Sequence, residues 1–208
     1  MDVVYSIGHS NHTEELFISL LQKHKADLVL DVRSSPYSQR FPQFNREVIS
    51  KTLLPHRIDY QFFGEWFGAR QPDKAYYTSA RWLNYILFTK SLIFKEGVNR
   101  LDTVLQNGKT PALMCAEKDP FDCHRAIMVC RALSLMGYEI RHILADGSIQ
   151  TQAELDTRLL DKYFPRRNEG SIFDLIEGEK DTQTLITEAY YKRNEAIAWR
   201  MEGTEEQD

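Results

Sequence analysis

The chain has 208 residues, 42% of them apolar, with 26 Lys and Arg against 30 Asp and Glu for a formal net charge of −4. That is enough chain for one substantial core, and the acidic balance gives no electrostatic reason for avid non-specific nucleic-acid binding. Three cysteines, an odd number in a chain too large to need staples, argue against a disulfide framework and for a reducing, cytoplasmic setting; no apolar run has membrane-spanning length and no signal-peptide pattern opens the chain.

In chain order, "VVYSI" (Val3 to Ile7) reads as a strand that breaks at Gly8. "NHTEELFISLLQKHKA" follows as a helix capped by Asn11 or Thr13, with Leu16, Phe17, Leu20 and Leu21 on one face. "ADLVLDVR" is a buried strand ending in charge at Asp31 and Arg33, so the chain opens β-α-β, which implies parallel strands. "SSPYSQRFPQF" holds Pro36 and Pro42 and predicts turns; Asn45 is expected to cap a helix through Leu54. "IDYQFFG" predicts a third strand and "EWFGARQPDKAYY" an irregular aromatic stretch. Residues from Ser79 to about Leu105 predict helix, interrupted or ended near Gly97, before the strand "TPALMCAE". Asp122 is placed as the cap of the helix "CHRAIMVCRALSLMG", apolar on nearly every side and closed by Gly137, and "YEIRHIL" is the next strand.

The expected fold is α/β: a mostly parallel sheet with flanking helices, a Rossmann-like three-layer arrangement over residues 1–150. It carries a C-terminal helical appendage over 151–201, including "QAELDTRLLDKYF" and "TLITEAYYKRNEAIAW", and a disordered tail over 202–208.

In an open α/β sheet, ligands sit beyond the carboxyl ends of the strands. That rule groups residues far apart in sequence. The first strand delivers His9, Ser10 and Asn11, the second Asp31, Arg33 and Ser34, and the "ALMCAE" strand Cys115 and Glu117; the next helix starts with Cys123, His124 and Arg125. Backbone N–H groups at a helix start favour an anion, and Arg suits phosphate, so Ser10, Asn11, Asp31, Arg33, Ser34, Cys115, His124 and Arg125 are assigned to substrate binding. Glu117, Cys123 and His9 are the catalytic candidates: a carboxylate past a buried strand, a thiol where a helix start and Arg125 favour thiolate, and an imidazole. The plainer alternatives are a turn-capping His9, an Asp31–Arg33 ion pair, a salt bridge from Glu117 to Arg33 or Arg125, and core roles for Cys115 and Cys130.

Several templates fail. His12 stands where a nucleophile elbow requires glycine, no Walker A loop or G-x-G-x-x-G is present, and neither Cys115 nor Cys123 has an arginine at C-x5-R spacing. No metal and no cofactor is expected. No C-x-x-C pair occurs, the zinc-deaminase pattern is absent, and adjacent Cys123 and His124 are not expected to face one ion. The run Tyr60, Phe62, Phe63, Trp66, Phe67, Tyr76 and Tyr77, with Arg57, Arg70 and Arg81 nearby, reads as core and lid before it reads as a base-stacking platform.

Four ordered motifs, "YSIGHSN", "DVRSSPYSQRFPQFN", "FFGEWFGAR" and "CAEKDPFDCHR" with the following "HILADG", resemble a bacterial family known as domain of unknown function 488, from Tyr5 to about Gly147. The helical ending is similar as well. The resemblance implies a compact α/β domain, and a site formed by the motif residues His9, Ser10, Asp31, Arg33, Arg40, Asn45, Cys115, Glu117, Cys123, His124 and Arg125; it implies no reaction. The leading expectation is an enzyme, a hydrolase or transferase, acting on an anionic, phosphate-bearing small molecule or nucleotide through an Arg/His cradle and Glu acid/base. The alternatives are an anion- or nucleic-acid-binding module without turnover, and thiol chemistry at Cys123 with Cys115 as resolving partner. An anionic small molecule is the expected partner and a membrane is not; the oligomeric state is left open.

Overall fold

The computed structural model describes residues 2–167 and 181–201. The predicted 202–208 tail lies outside them. Six strands form one sheet: β1 (Val3–Gly8), β2 (Leu28–Asp31), β3 (Asp59–Phe62), β4 (Pro111–Cys115), β5 (Glu139–Ile143) and β6 (Ile149–Thr151), in the order β3-β2-β4-β1-β5-β6. All neighbours pair in parallel except β5 and β6. β2 and β4 are buried along their whole length, as strands covered on both faces must be, whereas edge strand β3 alternates exposed and half-buried residues.

Two apolar cores, one on each face, account for the layers. Tyr5, Ile7, Val29, Ala112 and Met114 point toward α1 (Glu14–Lys23) and α2 (Arg46–Leu53), which contribute Phe17, Leu21, Ile49 and Leu53. Val4, Leu28, Leu30, Leu113 and Cys115 point the other way. There they meet α3 (Gly64–Phe67), α4 (Tyr85–Phe88), α5 (Leu92–Gln106), a π-helical stretch Arg125–Cys130 running into α6 (Arg131–Leu135), α7 (Gln152–Tyr163) and α8 (Thr182–Ile197). The expected α/β architecture with C-terminal helices is therefore present. No described helix is long and apolar enough to cross a membrane.

Local chemistry explains most boundaries. The Thr13 hydroxyl accepts from the Leu16 amide and starts α1, and Thr151 and Glu154 form a reciprocal capping box on α7. Five expectations need correcting. Leu16 is exposed, because the buried face of α1 is set by Phe17, Ile18, Leu20 and Leu21. Asn45 precedes α2 but makes no cap bond; its Oδ1 accepts from the Ser38 amide at 2.7 Å and so folds the preceding loop instead. The turn-rich stretch before it contains a 3-10 turn, Pro42–Phe44. The expected helix from Ser79 starts only at Tyr85, since residues 79–84 form a turn and isolated β-bridges, and it is two helices separated at Thr89–Ser91, with Gly97 inside α5, where a Cβ would lie 2.6 Å from that of Trp66. The glycine is thus a close-packing site and not a helix end. Asp122 caps nothing; Asp119 caps the 3-10 turn Pro120–Asp122 by accepting from the Phe121 amide at 2.9 Å, while Asp122 pairs with Arg193 on α8.

The C-terminal helices join the larger core through Leu155, Leu159, Ala189 and Tyr190 and are tied to the sheet by a buried polar chain. Tyr190 donates to Asp156 at 2.6 Å and accepts from the Gln152 amide at 2.5 Å. Gln152 Oε1 is then the acceptor for His142 Nε2 at 3.1 Å, which leaves His142 Nδ1 to accept from the Ser6 hydroxyl at 2.7 Å. Every member is satisfied, so His142 is fixed as a neutral imidazole; burial and the Arg125 charge lower its pKa to about 3.

Candidate functional site

The adjacent order β2-β4-β1 puts three carboxyl ends side by side. The ladder extends past each strand: His9 and Ser10 donate backbone N–H to Cys115 and Ala116 at 2.8 and 2.9 Å, and the Val32 amide donates to Met114 at 3.0 Å. The loop after β4 crosses directly over the end of β1. That crossing requires glycine at position 8, since a Cβ there would lie 1.9 Å from the Glu117 carbonyl oxygen. Arg125 clamps the loop from beneath. Its guanidinium is fully buried and donates to the carbonyls of Glu117 at 2.6 Å and Lys118 at 3.3 Å, while its Nε has no partner among the described residues.

This loop gathers four reactive side chains. Cys123 has an extended backbone (φ −127°, ψ 135°) and His124 is already helical (φ −58°, ψ −29°), so these neighbours converge where two successive helical residues would splay apart. Cys123 and His124 thus face one point, although adjacent side chains are not expected to do so. Glu117 Oε2 accepts from the thiols of Cys115 at 3.1 Å and Cys123 at 2.9 Å, and Cys115 Sγ lies 3.6 Å from His124 Nδ1. His124 Nε2 is 3.0 Å from the Val32 carbonyl, which can only accept, so Nε2 carries a hydrogen and Nδ1 faces the thiols. The four donor atoms all lie within 4.8 Å of one another.

Protonation is shared unevenly. Burial raises the Cys115 thiol well above the ordinary range, reinforced by the neighbouring Cys123. Burial opposes ionisation of Cys123 too, but the hydrogen bond with Cys115, the Arg125 guanidinium and His124 outweigh it and hold this thiol well below the usual value. Glu117 is raised by desolvation and then by the Cys123 charge. His124 is raised despite burial, because Cys123 and Glu117 stabilise its cation. Cys130 lies in the core of the π-helical stretch, and burial pushes it up to about 12.

The β2 side is organised differently. Arg33 grips Asp31 through Nε at 2.9 Å and Nη2 at 2.5 Å and also donates to the Phe44 carbonyl at 2.8 Å, while Tyr60 donates to Asp31 at 2.7 Å. His9 stacks on Phe44 with ring centroids 4.3 Å apart and accepts from Arg33 Nη1 through Nε2 at 3.2 Å, so Nδ1 is the donor to the Ser10 carbonyl. Burial and then the Arg33 charge lower the His9 pKa to about 4, making it a neutral, fully engaged ring.

Between these sides lies a cleft of about 500 Å³. Arg33, Ser34, Cys115, Glu117 and His124 line it; Cys123 lies behind, its sulfur on Glu117. His9, Asp31 and Arg125 are buried off the cleft wall, and Ser10, Asn11, Arg40 and Asn45 do not line it. The mouth is built from residues the strand-end rule does not group, Tyr37, Arg70 and Trp199, and buried Tyr85 lines the cleft deeper in. The Arg70 guanidinium lies over the Trp199 ring at 5.3 Å, and its backbone amide donates to Ser34 Oγ at 2.8 Å, anchoring the "FFGEWFGAR" loop to the end of β2. The remaining aromatics of that region are packed as expected, with Phe63 and Phe67 in the core and Trp66 against Arg100. A second, apolar groove of about 260 Å³ runs between α4, α6 and α8, away from this chemistry.

A family model described as "Domain of unknown function DUF488" matches residues 13–132, more than half of the chain. No curated protein and no solved structure matches the chain significantly.

Proposed function

The chain belongs to that family of unknown function, and we propose that it is an enzyme acting on an anionic, phosphate-bearing small molecule or nucleotide in the β2–β4 cleft. One observation carries this reading: the cleft joins a cationic, aromatic mouth to a cluster of proton-transfer groups. Arg70 is suited to the anion. Its guanidinium makes no ion pair among the described residues and sits on Trp199, a ring able to cover a base or sugar face. Arg33, turned toward the same space but held by Asp31, adds positive potential. Arg125, spent on two carbonyls, acts on the substrate only by holding the Glu117 loop in place. Glu117, with its raised pKa and its exposure to the cleft, is the proton carrier, and His124 sets its electrostatic surroundings. Three thiols without a disulfide fit a reducing, cytoplasmic setting.

A screen of phosphate-bearing metabolites by calorimetry tests the proposal. A nucleotide or sugar phosphate should bind the wild type, bind Arg70→Ala more weakly, and bind Glu117→Gln with retained affinity but without turnover. Absence of binding by any phosphate-bearing compound would sink it. Thiol redox chemistry is the second reading, favoured because Cys115 and Cys123 both reach the same carboxylate oxygen. A disulfide trapped by mild oxidation, with activity lost in Cys123→Ser and kept in Glu117→Gln, would select it.

A further inference from the structure

We propose that Cys115, Cys123, His124 and Glu117 bind a divalent zinc-class metal ion, with Glu117 as the exchangeable ligand facing the cleft. The donor set comes first. Two sulfurs, one imidazole nitrogen and one carboxylate oxygen suit zinc, and are too soft for magnesium or calcium. Geometry comes second. Metal–sulfur and metal–nitrogen bonds of about 2.3 and 2.0 Å at a tetrahedral angle put the two ligand atoms about 3.5 Å apart. Cys115 Sγ and His124 Nδ1 are 3.6 Å apart. The thiol–carboxylate contacts of 3.1 and 2.9 Å are hydrogen-bond lengths, and they open by roughly half an ångström when an ion replaces the shared protons.

The outer shell points the same way. The Val32 carbonyl takes the Nε2 hydrogen of His124 and so presents Nδ1 as a lone pair to the cluster, the arrangement that orients metal-bound histidines. Arg125 supplies the charge balance. It is fully buried and makes no ion pair among the described residues, and two thiolates, a carboxylate and a dication leave one negative charge beside it. On binding, the Cys115 thiol gives its proton to solvent, so uptake of the ion is accompanied by proton release. Cys115 and Cys123 are buried, His124 is half-buried at the cleft wall and Glu117 is exposed, so Glu117 is the ligand that a molecule in the cleft can reach and displace.

The test uses the full-length protein, reduced with a phosphine and stripped with chelator, then titrated with Co²⁺ and afterwards with Zn²⁺. One equivalent of Co²⁺ should bring up a thiolate-to-cobalt charge-transfer band and tetrahedral visible bands, both erased by one equivalent of Zn²⁺. Cys115→Ala and Cys123→Ala should each weaken Zn²⁺ binding roughly 100-fold or more, beyond the usual outer-shell effect. Cys130→Ala, outside the cluster, should leave it unchanged. Should the alanine variants fail to fold, the wild type still decides: Zn²⁺ should protect two of its three thiols from alkylation. No charge-transfer band from the folded, reduced wild type, or thiols alkylated equally fast with and without Zn²⁺, would overturn the proposal. These readouts need no substrate, so the site stands or falls separately from the proposed reaction.

Discussion

The two sides of the cleft use similar residue types to opposite ends. On the β2 side, Asp31, Arg33, His9 and Tyr60 are interlocked by short hydrogen bonds, and both charges are paired within the protein. On the β4 side, two thiols, a carboxylate and an imidazole crowd one point with fewer partners than they can accept, above an arginine whose Nε has none among the described residues. A satisfied buried network specifies structure; an under-satisfied one keeps its chemistry available. The difference makes the first side scaffold and the second the reactive wall.

The most severe way to test that contrast is to break the scaffold pair. Asp31→Ala strands the buried Arg33 and removes the acceptor of Tyr60, which should cost about 3–5 kcal/mol in denaturant unfolding. Glu117→Gln, on the other wall, should change stability by less than about 1 kcal/mol. Equal costs would erase the distinction between the sides.

Gly8→Ala addresses the boundary between them. Its Cβ would stand 1.9 Å from the Glu117 carbonyl, so the loop must lift off the end of β1, at a cost of about 1–3 kcal/mol. The lifted loop should draw Glu117 from both sulfurs and accelerate alkylation of Cys115. A variant with wild-type stability and thiol reactivity would show that the loop does not depend on this crossing.

How much of this was legible in the sequence follows from range. Grouping His9, Asp31, Arg33, Cys115 and Glu117 required only that β-α-β connections make parallel strands whose ends share one edge, and the motifs carried that order. The convergence of Cys123 and His124 was hidden because it depends on one extended residue immediately before a helix. Arg125 read as an anion ligand from its charge and helix position; only the path of the Glu117 loop reveals that two of its donors go to backbone carbonyls. Arg70 stood out beside the aromatic run, but its meeting with Trp199 was beyond reach. They meet because α8 packs across α4 through Asn194, which accepts from the Tyr85 amide and donates to the Leu83 carbonyl. No local pattern announces a contact between residues so distant.

Acid should expose the scaffold's second feature, its neutral buried histidines. His9 and His142 have folded pKa values of about 4 and about 3, below the unfolded value, so the unfolded chain takes up protons first as pH falls. Stability is therefore full above about pH 6.5 and is lost as pH falls toward those folded values, by roughly 2 kcal/mol per histidine between pH 7 and pH 5. Urea unfolding at the two pH values measures it, and His142→Gln should flatten the slope by its share. A slope unchanged in that variant would mean that His142 is not held neutral.

The smallest effect on stability should come from Arg70→Ala, and it separates the two sides most cleanly. Arg70 is exposed, its guanidinium packs on Trp199 and makes no ion pair among the described residues, and its backbone bond to Ser34 survives the substitution, so stability should shift by no more than about 0.5 kcal/mol. Affinity for a phosphate-bearing ligand should nonetheless fall roughly 10- to 100-fold, the loss of a charge-assisted contact of about 1.5–3 kcal/mol. Calorimetry beside thermal unfolding reads both quantities on one sample. A large stability loss would assign Arg70 to the scaffold, and unchanged affinity with the fold intact would move the anion elsewhere in the cleft. Only the pairing of weak destabilisation with strong loss of binding matches a residue that the fold positions but does not need.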